Sequence, residues 1–138
     1  MKKKLLAFTL IEILVVCTII GILMAAGATA YSTMGKISRD ARRKADLEQI
    51  RSALEMYRSN DVNSSYPLTA AGLSALIAPV KYLETAITDP KTNAPYQYDS
   101  SGADYTLSTQ LEIGNPTCTG SGCSLATNCY CLGPYGKK

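Results

Sequence analysis

Lys2-Lys3-Lys4-Leu5-Leu6-Ala7-Phe8-Thr9-Leu10-Ile11-Glu12-Ile13-Leu14-Val15-Val16 opens the chain and decides how the rest is read. From Leu5 to Tyr31 the run is apolar or uncharged apart from Glu12, which is the only formally charged side chain between Lys4 and Lys36. Carried to the middle of a bilayer, a charged side chain costs about 2.5–3.5 kcal/mol on insertion scales, so an isolated one marks a partner or a function. Phe8 to Ala30 is long enough, at a helical rise of about 1.5 Å per residue, to span roughly 34 Å and so cross a membrane core. Thr9 and Thr18 are expected to return their hydroxyls to backbone carbonyls, and Cys17 reads as a small apolar residue within the span. Small residues Gly21, Ala25 and Ala28 follow one helical face, as in ordinary membrane helices and in close helix pairs alike.

This segment resembles the amino terminus of type IV pilins and type II secretion pseudopilins. In that family a short basic leader precedes a cut, and Phe-Thr-Leu-Ile-Glu follows it, with the glutamate fifth. The resemblance puts the cut between Ala7 and Phe8 and gives Glu12 that fifth place. The family usually carries Gly before the cut; this chain has Ala7, the next smallest residue. The new amine at Phe8 stands four residues before Glu12, one helical turn away. Between staggered subunits, Glu12 of one chain can meet the Phe8 amine of the next, which offsets the desolvation of both charges. The resemblance implies that this pairing registers an incoming subunit. It also implies, as partners, identical subunits in a helical filament, a prepilin peptidase that methylates the new amine, and an inner-membrane assembly platform driven by a cytoplasmic ATPase. Membrane lipid surrounds the segment before assembly. The precursor is then a single-pass protein of the cytoplasmic membrane with its head outside the cytoplasm, and the product is a periplasmic or cell-surface filament.

The 138 residues suit one domain. Net charge is +3, but three of the 14 basic residues are Lys2, Lys3 and Lys4, and without them the bases equal the 11 acids. The basic balance therefore belongs to a targeting segment and makes no case for nucleic acid. His and Trp are absent, which removes the commonest acid–base catalyst and zinc ligand. No nucleotide loop, nucleophile elbow or paired-carboxylate site stands in the sequence, so the chain reads as no enzyme, with no cofactor and no metal. Orientation is less tidy: the leader lysines favour a cytoplasmic amino terminus, yet Lys36, Arg39, Arg42, Arg43 and Lys44 follow on the far side.

Leu47, Ile50, Leu54 and Tyr57 step by three and four, so the helix continues as an amphipathic one to about Asn60, with no proline between Phe8 and Tyr66. Arg42–Asp46 and Arg51–Glu55 are spaced for i,i+4 ion pairs on it. A coiled-coil seam is the other reading of the stripe, over too few heptads to compete with a wall for the chain's own head. Leu73, Leu76, Ile77 and Val80 predict a short second helix over 70–78, stopped by Pro79. Residues 96–98 and 105–111 predict a hairpin across Asp99-Ser100-Ser101-Gly102-Ala103-Asp104. Asp99 and Asp104 also raise a calcium site, since some pseudopilins bind that ion in the head; a turn rich in Asp, Ser and Gly accounts for them as well.

Cys118, Cys123, Cys129 and Cys131 close the chain in a Gly- and Asn-rich tail. Outside the cytoplasm an even count favours disulfides over zinc or free thiols. Joining Cys129 to Cys131 would need a strained tight loop. That leaves Cys118–Cys129 with Cys123–Cys131, or Cys118–Cys131 with Cys123–Cys129, both open.

The expected class is α+β and pilin-like: a long amino-terminal helix, half transmembrane and half amphipathic, against a small head with a short helix, a hairpin and a Cys-rich tail. The expected segments are a leader over 1–7, a transmembrane helix over 8–30, its extracytoplasmic continuation over 31–60 and the head over 61–138. The expected function is a structural subunit of a type IV pilus-like filament, cleaved, N-methylated and polymerised. The close alternative is the major pseudopilin of a type II secretion system. An alternative of another class is a secreted binding domain released after Ala30, because Ala28-Thr29-Ala30 fits a small-x-small site.

Overall fold

The computed structural model describes residues 9–114, 118 and 128–137, without the side chains of 29 and 30. Two compact units make up the chain, Met1–Gly35 and Lys36–Lys138. A single α-helix, α1, runs Leu10–Asn60, and it ends where Asn60-Asp61 supplies turn chemistry: the Asp61 carboxylate accepts from the N–H groups of Asn63 and Ser65 and from the Ser65 hydroxyl.

In the first unit every described side chain from Leu10 to Ala28 is exposed. This stretch is long and apolar enough to cross a membrane. Thr18 donates its hydroxyl to the carbonyl of Val15 at 2.8 Å, as expected. Thr9 does otherwise, and its hydroxyl goes to Glu12.

The second unit is built on the other half of α1. Leu47, Ile50, Ala53 and Leu54 are fully buried, and with Tyr57 they form the wall against which the head packs. Leu107 and Leu132 from the sheet, Leu76, Leu83, Tyr66, Tyr96 and Tyr105 complete the core. Burying a Leu or Ile side chain is worth about 1.5–3 kcal/mol, so this stripe holds helix and head together. The two expected i,i+4 ion pairs do not form. Asp46 accepts from the Tyr96 hydroxyl at 2.7 Å, Glu55 accepts from the Tyr66 hydroxyl at 2.9 Å, and Arg51 turns to Glu48 and to the carbonyl of Pro134. The hydroxyls of buried tyrosines need acceptors more than arginines within reach of water need partners, and the helix carboxylates supply them.

The expected second helix is smaller than its apolar spacing suggests: a 3-10 helix, Gly72–Leu76. Gly72 sits at φ +59°, a left-handed value that interrupts any α-helix running in from Ala70. Leu76 is buried and Leu73 and Ile77 pack on the core, whereas Val80 lies outside it, 56% exposed.

The head's sheet has four antiparallel strands in the order β1 (Gln97–Ser100), β2 (Tyr105–Gln110), β3 (Cys129–Gly133) and β4 (Gly136–Lys137). β1 and β2 are the expected hairpin, with Tyr98 opposite Leu107 and Asp99 opposite Thr106. Leu107 faces Leu132 on β3, and Leu132 faces Lys137 on β4. The last two strands extend the expected hairpin into the Cys-rich tail, where no strand was expected from the sequence. Cys129-Tyr130-Cys131-Leu132 alternates: Tyr130 and Leu132 pack on the helix side while both cysteines are buried. A two-residue loop, Pro134-Tyr135, joins β3 to β4, and Gly136 takes φ +110° there.

Candidate functional site

Helix α1 begins with a reciprocal cap. Oε2 of Glu12 accepts from the Thr9 N–H at 2.8 Å and from the Thr9 hydroxyl at 2.8 Å. The Thr9 oxygen in turn accepts from the Glu12 N–H at 3.4 Å. Thr-x-x-Glu is the capping-box pattern, which satisfies backbone donors that no helical carbonyl can reach. The carboxylate also lies in the first turn, at the positive end of the helix dipole. An apolar environment around Glu12 is therefore met by a carboxylate already holding two donors within its own chain. Ala7 and Phe8 lie outside the described residues, so the expected cleavage point and its amine do too.

The sequence pattern did not reveal a second constellation. Arg43, 3% exposed, reaches three carboxylates from three segments. Its Nη1 donates to Asp40 at 2.7 Å and to Glu112 at 3.3 Å, and its Nε and Nη2 both donate to Asp89. Glu112 also accepts from Arg39 at 2.6 and 2.9 Å and from Lys91 at 3.1 Å. Asp40 accepts from the backbone N–H groups of Glu112 and Ile113. Asp89 accepts from those of Lys91 and Thr92. The Arg43 guanidinium holds the Asp89 carboxyl well below the usual carboxylate range. Arg39 first, with Lys91 behind it, lowers Glu112 to about 2. Six charges, three of each sign, thus clamp the 89–94 turn and the chain after β2 to the helix. Asp40 and Arg43 are i,i+3, but the partners at 89 and 112 are too distant in sequence for any local pattern to announce.

Cys118 and Cys131 form a disulfide, with Cα atoms 5.8 Å apart. Cys129 has no free thiol, and its Sγ lies 3.2 Å from that of Cys118 and 3.9 Å from that of Cys131. Oxidised sulfurs are not thiolate ligands, so Cys118, Cys129 and Cys131 in this state offer no thiolate to zinc. Cys123 lies outside the described residues. Cys17 is a free, exposed cysteine in the first unit.

Asp99 and Asp104 are both exposed on the β1–β2 hairpin, where they line a shallow depression with Ser100, Ser101, Tyr105 and Thr106. Each is used by the turn: Asp99 accepts from the Thr69 hydroxyl at 2.9 Å and Asp104 from the Tyr105 N–H at 2.8 Å. Gly102 sits at φ +89° between them, and the Ser101 N–H closes on the Asp104 carbonyl. This is how a turn employs Asp, Ser and Gly.

A capped apolar helix that continues as the wall of a small α+β head defines a pilin-like protein. The family model for the prokaryotic N-terminal methylation motif matches residues 3–28, and that for type II secretion system protein G matches residues 32–118. The chain belongs to the type II secretion system protein G family. Among its relatives is the type II secretion system core protein G of Pseudomonas aeruginosa, 34% identical over 113 residues, which cover 73% of this chain and 78% of that one. The protein of the same name from Vibrio cholerae is 35% identical over 122 residues, 78% and 80% of the two chains. That of Klebsiella michiganensis is 44% identical over 72 residues, 51% of this chain and 48% of that one. No solved structure matches.

Proposed function

We propose that this chain is the major pseudopilin of a type II secretion system: a membrane-inserted precursor cut between Ala7 and Phe8, N-methylated and polymerised into a short periplasmic filament. The observation that carries the reading is the protein G match over residues 32–118, directly behind a methylation motif. The secretion filament is thereby favoured over the type IV pilus, for which only the amino-terminal methylation motif speaks. In this reading residues 1–7 are the leader, 8–30 span the membrane, 31–60 continue the helix outside and 61–138 form the head.

Insertion with the leader in the cytoplasm leaves the basic cluster of residues 36–44 outside. Arg39 is ion-paired to Glu112 and Arg43 to Asp89 and Glu112 of the head, which removes part of the objection that five outer cations raise. Glu12 registers subunits: its carboxylate holds Thr9 before assembly and is offered the Phe8 amine of a neighbour on entering the filament. Exchanging a hydroxyl donor for an ammonium in a dry bundle strengthens the interaction and favours the assembled state. Identical subunits, a prepilin peptidase, and a membrane platform with its cytoplasmic ATPase are the partners. Cys129 pairs with Cys123, completing the second disulfide.

Deletion of the gene tests the reading. A pseudopilin predicts that exoproteins accumulate in the periplasm and that the restored chain returns them to the medium, with surface pili unchanged. Loss of surface fibres with normal exoprotein export would instead make it a pilus subunit.

A further inference from the structure

The turn that ends α1 reads Asp61-Val62-Asn63-Ser64-Ser65. Asn63-Ser64-Ser65 fits Asn-x-Ser/Thr with a residue other than proline in the middle, the pattern of an asparagine that accepts an N-linked glycan. The other four asparagines do not fit it. Asn60, Asn93 and Asn128 lack Ser or Thr two places on, and Asn115 is followed by Pro116. So short a pattern also arises by chance, and its place in the fold has to decide.

That place suits an acceptor. Val62 is 98% exposed, and Asn63 and Ser64 are exposed beside it. The Ser64 N–H donates to the Asp61 carbonyl at 3.0 Å, and Nε of Arg58 donates to the Ser64 carbonyl at 3.0 Å. The Asp61 carboxylate takes the Asn63 N–H, the Ser65 N–H and the Ser65 hydroxyl. The Asn63 side-chain amide has no part in these bonds, so a sugar on its nitrogen projects into water and leaves them intact. The Ser65 hydroxyl, which completes the pattern, is engaged by Asp61 at 2.8 Å in the closed turn. Every one of these bonds lies within residues 58–65, at the water-exposed end of a helix, where local opening is least costly. The pattern is therefore read in the open segment, before the turn closes or while it is briefly opened.

From this we propose that Asn63 is an N-glycosylation site. The donor is a glycan joined through pyrophosphate to a polyprenyl lipid. Nδ2 of Asn63 attacks C1 of the first sugar: the C1–N bond forms and the C1–O bond to phosphate breaks. The lipid pyrophosphate leaves with the electron pair, one amide proton passes to a base of the transferase, and nothing is oxidised or reduced. The site rests on the reading that places the head outside the cytoplasm, and the glycan gives the exposed Val62 a hydrated cover.

The test is peptide mass spectrometry of the full chain from its own cells. Trypsin releases residues 59–81 as one peptide, because neither Lys nor Arg stands between Arg58 and Lys81. Its mass is expected to exceed that of the bare sequence by a sum of sugar residues, with fragmentation placing them on Asn63. Asn63→Gln and Ser65→Ala should abolish the increase, whereas Ser65→Thr, which restores the hydroxyl, should keep it. A bare peptide, or a sugar carried by Ser64 or Ser65 instead, overturns the site. The amino-terminal peptide of the same digest separates the two readings. Phe8 at the start beside a bare Asn63 refutes the glycan alone, and an intact Met1 strikes the filament reading itself.

Discussion

Replacing Arg43 by Leu removes the one guanidinium that Asp40, Asp89 and Glu112 share. The leucine fills much of the space but supplies no proton. Glu112 keeps Arg39 and Lys91, whereas Asp40 and Asp89 are each left with two backbone donors and no paired cation among the described residues, so the uncompensated charge falls on those two. Removing one partner of a buried pair costs about 3–5 kcal/mol. The side chain of Asp89 is 13% exposed, against 3% for Arg43, so water reaches it and the lower end applies: about 3 kcal/mol. A small head has only about 5–15 kcal/mol in all. Urea unfolding of the detergent-solubilised chain measures the loss, followed by near-ultraviolet circular dichroism of its tyrosines; the chain has nine and no tryptophan. Arg43→Leu with Asp89→Leu should regain part of the loss, because no stranded carboxylate then remains at that position. A cost of less than about 1 kcal/mol for Arg43→Leu would show that the cluster is a solvated surface network.

Acid should weaken the same clamp. Asp89 and Glu112 have folded pKa values below their ordinary ones, so their stabilisation is complete above about pH 4 and is lost as pH falls toward about 2. The midpoint of thermal unfolding should stay level from pH 7 to 5 and drop below 4, less steeply in Arg43→Leu; a flat profile to pH 2 would contradict it. Non-reducing peptide mapping should yield Cys118–Cys131 and Cys123–Cys129; a Cys118–Cys129 peptide would refute the pairing. Cys131→Ser should cost about 2–4 kcal/mol by freeing the loop it closes with Cys118, read by the same urea titration. Glu12→Leu should insert and be cleaved normally yet assemble little filament, and normal filament abundance would remove the registration role.

The parts of this fold that declare themselves locally were legible. An uninterrupted apolar run with one carboxylate, a stripe at Leu47, Ile50 and Leu54, and a run of Tyr and Thr around an Asp-Ser-Ser-Gly turn each obey a short-range rule. What stayed hidden depends on distant residues. Arg43 looks like one member of a basic run until Asp89 and Glu112 arrive, and Asp46 looks like a partner for Arg42 until the Tyr96 hydroxyl claims it. The alternation Cys129-Tyr130-Cys131-Leu132 has the period of a strand, but at four residues among Gly and Asn it is too short to separate β3 from a crosslinked loop. Gly72 marked the break that reduced a helix to a single 3-10 segment. For Glu12, the capping box with Thr9 was present as Thr-x-x-Glu, overshadowed by the question of what lies across the subunit boundary.

Mass spectrometry of the amino-terminal peptide, taken from this chain in sheared and pelleted filaments, tests the central claim most directly, because it reads processing and polymerisation in one sample. The expected first residue is Phe8, carrying one N-methyl group and followed by Thr9-Leu10-Ile11-Glu12. A chain that begins at Met1 or Tyr31, or that never enters the pelleted polymer, would contradict the account.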